Sequence, residues 1–445
     1  MNRSVLIVTP FFAPQNHSAV FRAYKLAKYL PQFGWMPTVL TVDTQYEFTE
    51  DDSLLTDLPA EVEVVAARYV EPSARGMRMA LGGRDRTFRA TRQGGAADSN
   101  GSTKATALSA AQRAYLFLIE NWLQVPDAYW TWAHTATGVG KRIMRERGID
   151  TVFTTAPPFS SLMIGQDLHD AGVKWVADLR DPLAYTKRLS SDSPRVYQRQ
   201  RNIVKNALGK ADAVTVAASC FRSIYFDMFG KQGSEPIFIP TGMDTNTLAP
   251  ATGGAPQEAP YLIFPGEYLP DYDSAFLEAF AAALNNVDVR QRGIKLLVVG
   301  TLELNRTRLM PLIDKFGVHK HVEFKDQLPQ REVYKLLSGA MAGVLIPGAR
   351  AYWWTTFAKM TDYIGMRKPV VAMVPDPSEA RSALTRTGLG VFLDGSPLAR
   401  TRTLTNFFLG KHTLSKPNDD ECERYTVRSQ VQSFVEVFES VSRRH

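Results

Sequence analysis

Short apolar runs alternate along most of this chain with longer segments whose apolar residues recur at helical spacing. The run VLIVT at residues 4–8 is continuous and β-branched and stops at Pro10, which reads as a buried strand of a parallel sheet. Residues 20–30 (VFRAYKLAKYL) then carry helical periodicity, and after Gly34 the run MPTVLTV completes a β-α-β unit. VEVVAARYV continues the alternation. Residues 73–106 break it: rich in Gly, Ser, Ala and Arg and poor in large apolar groups, they read as a mobile basic insertion. A helix over about 107–123 follows, then DTVFTTAPPFSSL as strand and loop, VKWVADLRDP as strand and loop, a polar helix near 193–210, and the strand AVTVAAS.

The segment FIPTGMDTNTLAPATGGAPQEAP is crowded with Pro, Gly and Thr and marks a boundary. The alternation restarts with PYLIFPG, a helix near 273–286, IKLLVVG, a helix with Arg306 and Arg308, VEFKDQL, a helix from 330, AGVLIPG and the strand KPVVAM. A last helix, about 424–441, carries Val427, Val431, Phe434, Val437 and Phe438 as one apolar stripe. The pattern therefore predicts an α/β protein of two doubly wound, Rossmann-like domains. They are residues 1–240 and 260–423, joined by a linker at 241–259, with a terminal helix in 424–445. Two such halves imply a cleft between them as the natural ligand site.

Composition narrows this picture. No apolar run approaches the roughly 18 residues of a membrane span, and Pro10 cuts the N-terminal run too short for a signal peptide. The two cysteines, Cys220 and Cys422, match no metal or redox spacing, so a reducing cytoplasm is the expected setting. The net charge of +7 is uneven: Arg75, Arg78, Arg84, Arg86, Arg89 and Arg92 fall in one stretch. Lys187, Arg188, Arg195, Arg199, Arg201, Lys205 and Lys210 form another. Such clusters are either solvated faces or attract phosphorylated ligands and anionic membrane surfaces. No aromatic-basic platform of the kind that binds single strands accompanies them, so nucleic acid is not an expected partner.

Three groups of residues carry candidate chemistry. Lys359 and Asp362 are three apart in a helical stretch and share a face, as either a surface ion pair or a ligand-binding pair. Asp178, Arg180 and Asp181 follow the strand KWVAD, where α/β sheets collect reactive groups; the alternative is a turn at Asp181-Pro182 closed by Arg180. His17 stands in the first β-α loop. Asp271-Tyr272-Asp273 and His319-Lys320-His321 read as loops rather than metal ligands, and no metal is expected.

The segments PFFAPQNHSAVFRAYKLAKYLPQFGWMPTVLTV, VPDAYWTWA, TTAPPFSS, VADLRDP, IPTGMD and FAKMTDYIGMRKPVVA occur in an order that resembles the family 4 glycosyltransferases of bacteria. The closest resemblance is to the branch that builds cell-surface and exported polysaccharides, and it spans nearly the whole chain apart from the basic insertion. It implies the GT-B fold and a retaining, metal-independent glycosyltransferase, hexosyltransferase-like, without a cofactor. The first domain would hold a glycan or lipid-linked acceptor and the second a nucleotide-sugar donor, a UDP- or GDP-sugar. The last helix would cross back to the first domain. The enzyme would be cytoplasmic and peripheral at the inner face of the cell membrane.

By the same resemblance Asp362 receives the donor ribose and Lys359 the diphosphate, with Gly266, Arg350, Thr356 and Trp354 also on the donor side. Asp178, Arg180, Asp181 and His17 become catalytic candidates, and Asn16, Ser18 and Arg22 acceptor contacts. Three features depart from the family pattern. Trp354 replaces a glutamate, the first loop reads Gln15-Asn16-His17-Ser18 instead of a Gly-Gly pair, and GEYLPDYDS is acidic where a basic residue is usual. Neutralising a diphosphate then falls to Lys359, Arg350, Arg306 or Arg308. These departures leave an alternative, a GT-B-shaped protein that has lost transfer activity and serves as the partner or scaffold of an active enzyme. A natural-product transferase is a third reading.

Overall fold

Continuous apolar strands need helices on both faces, because both faces of a parallel sheet are buried. The computed structural model describes residues 3–44, 50–80, 118–186, 190–245, 259–269, 272, 274–346 and 352–443, and it contains two such sheets. The first sheet is made of β1 (Ser4–Val8), β2 (Met36–Val42), β3 (Glu63–Ala67), β4 (Thr151–Ala156), β5 (Lys174–Leu179), β6 (Ala213–Val216) and β7 (Ile237–Phe238). Its order is β3-β2-β1-β4-β5-β6-β7. The second is made of β8 (Tyr261–Pro265), β9 (Lys295–Val299), β10 (Val322–Lys325), β11 (Ala342–Leu345), β12 (Val370–Ala372) and β13 (Gly390–Phe392). Its order is β10-β9-β8-β11-β12-β13, and the strand pairs of both sheets are parallel.

In each sheet the chain starts in the middle, builds outward to one side, then returns to build the other. The reversal places a switch point between β1 and β4 and another between β8 and β11. Open α/β sheets bind ligands beyond the carboxyl ends of the strands at these points.

The chain divides into one unit of Met1–Ile239 with Val431–His445 and a second of Pro240–Gln430. In the first unit the helix Val427–Arg443 buries its apolar stripe: Phe434 and Phe438 meet Phe153 of β4 with ring centroids 5.1 and 5.9 Å apart, and Phe438 lies 5.3 Å from Trp35. In the second unit Gly343 of β11 faces the ring of Tyr363, and a Cβ there would stand 2.5 Å from ring carbons. The Tyr363 hydroxyl donates to Val344 O at 3.2 Å. These contacts press the helix Ala358–Gly365 onto β11, which sets the positions of Lys359 and Asp362.

Several expectations change. Residues 241–245, expected in the linker, contribute to the second unit: Met243 N donates to Tyr425 O, Val427 N donates to Met243 O, and Met243 fills the space against Gly365. Of the insertion at 73–106 the helix Ala74–Ala80 is described, and Arg84, Arg86, Arg89 and Arg92 lie outside the described residues. The helix expected at 107–123 also falls largely outside them, apart from the π-helical turn Ile119–Leu123. Two long helices, Trp130–Arg147 and Phe159–His169, were not expected. The second is hidden behind Pro157-Pro158 and two serines that read as loop. Its N-terminus is capped from elsewhere in the chain, by the Asp127 carboxylate, which accepts from Ser160 N at 2.9 Å and from Ser160 Oγ at 2.6 Å.

Candidate functional site

After β8 the chain turns through Gly266 at φ +108°, a conformation that only glycine adopts without strain. Gly266 N donates to Val299 O at 2.7 Å, its oxygen accepts from Asn305 Nδ2 at 3.0 Å, and Asn305 Oδ1 accepts from Tyr268 N at 2.9 Å. The loop also presses on Gly300, where a Cβ would stand 2.5 Å from Gly266 O. Gly300→Ala is therefore expected to push this loop away, with an overpacking cost of about 1–3 kcal/mol. Denaturant unfolding checks it, and an unchanged midpoint counts against so tight a loop.

Lys359 reaches this loop from the helix Ala358–Gly365. Its Nζ lies 3.3 Å from the point a Cβ on Gly266 would take, and 3.7 Å from the centroid of the Phe264 ring. Among the described residues no carboxylate pairs with it and no acceptor takes its hydrogen bonds. Burial lowers its pKa from 10.5 to about 7. A half-buried amine without a counter-ion among the described residues, beside a backbone loop at the β8/β11 switch point, suits an anionic ligand that supplies the charge.

One turn on, Asp362 Oδ1 accepts from Tyr334 Oη at 3.0 Å, and Gln330 Nε2 donates to the same hydroxyl at 2.6 Å. Tyr334 is 1% exposed; burial, and then the charge of Asp362, raise its pKa far above the ordinary tyrosine value, so the hydroxyl keeps the proton it donates. Lys359 and Asp362 thus share a helix but not an ion pair. Tyr334 was not among the expected site residues, and the only sequence signal for it is its place in the helix after β10.

The remaining donor-side expectations divide. Arg350, Asp271 and Asp273 lie outside the described residues. Trp354 is buried and Thr356 half-buried ahead of the helix, while Tyr352 packs edge-on to Tyr272 with centroids 6.1 Å apart. Two arginines expected to neutralise phosphate are placed otherwise. Arg308 holds the loop by donating to Tyr268 O at 2.9 Å and lies 3.9 Å from Glu267, and Arg306 is exposed over the Phe324 ring at 5.9 Å. His319 pairs with Asp314 at 3.0 Å and His321 Nδ1 meets Ile294 O at 2.8 Å. Among the described residues no group of side chains is suited to a metal ion.

In the first unit the structure corrects the roles expected for Asp178 and Arg22. Asp178 is 0% exposed; Arg22 donates to Oδ2 through Nε at 2.9 Å and to Oδ1 through Nη2 at 2.8 Å. Thr155 and Thr215 each donate at 2.7 Å, and Arg22, 3% exposed, also donates to Ile239 O at 2.9 Å. Burial pushes the Asp178 carboxyl up, but the Arg22 charge and these hydrogen bonds outweigh it and hold the carboxyl below its usual range. Neither side chain is presented to an acceptor; the pair locks β5 to its neighbours.

The group at the β1/β4 switch point is built on Arg180, which is 9% exposed and donates to Ala19 O and Pro157 O. Among the described residues its Nε has no hydrogen-bond partner; its guanidinium lies 5.7 Å from the Phe11 ring, and burial lowers its pKa to about 10. Phe11 meets His17 edge-on at 5.1 Å and Tyr129 at 5.4 Å, and Tyr129 stacks on Tyr69 at 5.0 Å. Gln15 Nε2 donates to Pro10 O at 2.7 Å, which turns Oε1 toward His17 Nε2 at 3.0 Å. That assigns the ring proton to Nε2 and the lone pair to Nδ1. Burial first, and then Arg180, lower the His17 pKa to about 4, so the ring is neutral at neutral pH. Asn16 and Ser18 are exposed on the same loop, and the Asp181 side chain is half-buried while its carbonyl accepts from Tyr225 Oη at 3.2 Å. Tyr69 and Tyr129 were not expected beside this loop, although Tyr129 lies within the segment VPDAYWTWA.

No family model and no curated protein sequence matches the chain. Solved structures do match it. Sucrose-phosphate synthase from Thermosynechococcus elongatus aligns over 99% of this chain and 99% of its own at TM-score 0.60 and 13% identity. HepE of Anabaena, solved in complex with UDP and glucose, aligns over 98% and 99% at TM-score 0.57 and 13% identity. A putative UDP-N-acetylglucosamine 2-epimerase from Listeria monocytogenes aligns over 99% and 96% at TM-score 0.55 and 10% identity. At these identities the likeness establishes the fold, which is GT-B; transferases and an epimerase share it, so chemistry has to be argued from the site.

Proposed function

We propose that this protein is a glycosyltransferase that moves a sugar from a nucleoside diphosphate donor to a glycan or lipid-linked acceptor of a surface polysaccharide. The observation that carries this reading is Lys359, a cation without a counter-ion among the described residues, held against the Gly266 loop with Asp362 one turn away. A diphosphate supplies the charge Lys359 lacks, and Asp362 accepts the two ribose hydroxyls while Tyr334 fixes its orientation. As the bond from the anomeric carbon to the diphosphate breaks, charge builds on the departing oxygens and the ammonium offsets it. The acceptor hydroxyl forms the new bond to the anomeric carbon and gives up its proton to the departing diphosphate. In the first unit Arg180, neutral His17 and the ring of Tyr129, backed by Tyr69, offer a cation, a hydrogen-bond acceptor and a stacking face to a sugar or a lipid-linked phosphate. The family resemblance supports a retaining, metal-independent transfer, and the basic residues of the first unit support a peripheral place on the inner face of the membrane.

A thermal-shift panel of nucleotides and nucleotide sugars, UDP- and GDP-sugars first, tests the donor site. Selective stabilisation by one donor, lost in Lys359→Met, is expected; no shift with any donor would move the weight to the non-catalytic partner or scaffold. Lys359 also predicts a pH dependence. With a free-state pKa of about 7, the amine is neutral above that pH, and a bound diphosphate draws a proton back onto it. Affinity is expected to fall as pH rises above about 7, with uptake of nearly one proton on binding at pH about 8. Calorimetry in buffers of different ionisation enthalpy reads the proton. Losing one charge-assisted contact of about 2 kcal/mol, Lys359→Met should bind roughly 30-fold more weakly in mild acid and show no uptake. For the fold alone the sign is opposite: the unfolded chain binds the extra proton between pH about 7 and 10.5, so this residue adds stability as pH rises through that window.

A further inference from the structure

The first unit also holds a surface cavity of about 320 Å³, and three pieces of chain build it. Trp122 belongs to the π-helical turn Ile119–Leu123. Trp130 and His134 stand one turn apart on the helix Trp130–Arg147, edge to face with centroids 5.6 Å apart. Arg195 and Arg199 stand one turn apart on the helix Pro194–Lys210. Hydrogen bonds tie the pieces together: Trp130 Nε1 donates to Leu123 O, and the buried Gln200 donates to Pro126 O at 2.8 Å and accepts from Ser191 N at 2.9 Å. The walls are therefore held by the fold.

The basic residues of the helix Pro194–Lys210 divide by what they do. Arg201 donates to Met228 O at 3.0 Å and lies 4.8 Å from the Phe229 ring, and Lys210 pairs with Asp170 at 3.6 Å. Arg195 and Arg199 are exposed, and among the described residues neither has a hydrogen bond or a carboxylate partner. Arg195 lies 4.6 Å from the centroid of Trp122, which is itself 61% exposed, and among the described residues no carboxylate lines the cavity. Two guanidiniums one turn apart each carry a fork of donors suited to the oxygens of a phosphoryl group. Arg195 also stands in the first turn of a 17-residue helix, whose partial positive charge acts in the same sense. The indoles supply an apolar wall of a kind soluble surfaces seldom leave exposed.

We infer that this cavity is a second ligand site of the first unit, taking a phosphate or diphosphate on Arg195 and Arg199 with its carbon body against Trp122 and Trp130. The group arrives either on the headgroup of an anionic membrane lipid or on a soluble phosphate ester. This inference does not rest on sugar transfer, and its test reads binding alone. The full chain carrying Lys359→Met, so that the second unit holds diphosphate more weakly, is titrated with inorganic pyrophosphate by calorimetry. It is also sedimented with vesicles of phosphatidylcholine with and without phosphatidylglycerol. Arg195→Gln with Arg199→Gln is compared with Arg402→Gln with Lys411→Gln, a pair exposed in the second unit that removes the same charge. A tenfold or larger loss of pyrophosphate affinity confined to the first pair supports a soluble phosphoryl ligand. A loss confined to phosphatidylglycerol vesicles supports a lipid headgroup. The same behaviour of both pairs in both arms, or no binding by the parent chain in either, overturns the proposal.

Discussion

Asp362→Ala is expected to weaken binding of a nucleoside diphosphate about 100-fold. The carboxylate stands one turn from Lys359 and is oriented by the Tyr334 hydroxyl, so two ribose hydroxyls can donate to it together. Hydrogen bonds to a charged group are worth about 1.5–3 kcal/mol each, and their joint loss, partly offset by water, comes to about 3 kcal/mol. Comparison of UDP with 2′-deoxy-UDP isolates the contact. The deoxy ligand should lose about tenfold against the parent chain and almost nothing against Asp362→Ala. An equal penalty in both chains would sink the ribose assignment while leaving the diphosphate contact of Lys359 standing. Tyr334→Phe keeps the carboxylate and frees its rotation, so a loss of only a few-fold is expected there.

Asp178→Ala is expected to cost about 3–5 kcal/mol of stability, the usual penalty for breaking a buried ion pair by removing one partner. Arg22 would keep Ile239 O and the Phe434 ring, 5.1 Å from its guanidinium, but would be left charged inside the first unit without the Asp178 carboxylate. Thr155 and Thr215 would also lose their acceptor. Adding Arg22→Met to Asp178→Ala should cost less than the sum of the single changes, because the stranded charge goes with the carboxylate. The pH dependence has a definite sign. With its folded pKa held below the ordinary value of 3.8, Asp178 contributes fully above pH about 4, and the contribution is lost as pH falls through the folded pKa. Urea unfolding of the variants reads all of this. A variant at Asp178 that keeps the wild-type midpoint but loses transfer would restore the catalytic reading.

The contrast between Asp178 and Lys359 shows what was legible in the chain. Both stand at strand ends or helix starts of an α/β pattern, and in the sequence both look equally able to face a ligand. Local periodicity carries the strands, the apolar stripe from Val427 to Phe438 and the shared helical face of Lys359 and Asp362, because these depend on residues a few positions apart. It does not carry the helix Phe159–His169, whose cap is Asp127, nor the Tyr334 hydroxyl that orients Asp362 across 28 residues of chain. The sequence by itself determined an α/β protein of two doubly wound units and a short roster of polar residues near strand ends. Only the tertiary structure decided that Asp178 and Arg22 satisfy each other inside the core, that Lys359 stands beside Gly266 with no counter-ion among the described residues, and that Arg195 and Arg199 open onto an indole-lined cavity. The reason is physical: whether a charge serves the fold or a ligand depends on which distant groups meet it, and those meetings are made by packing.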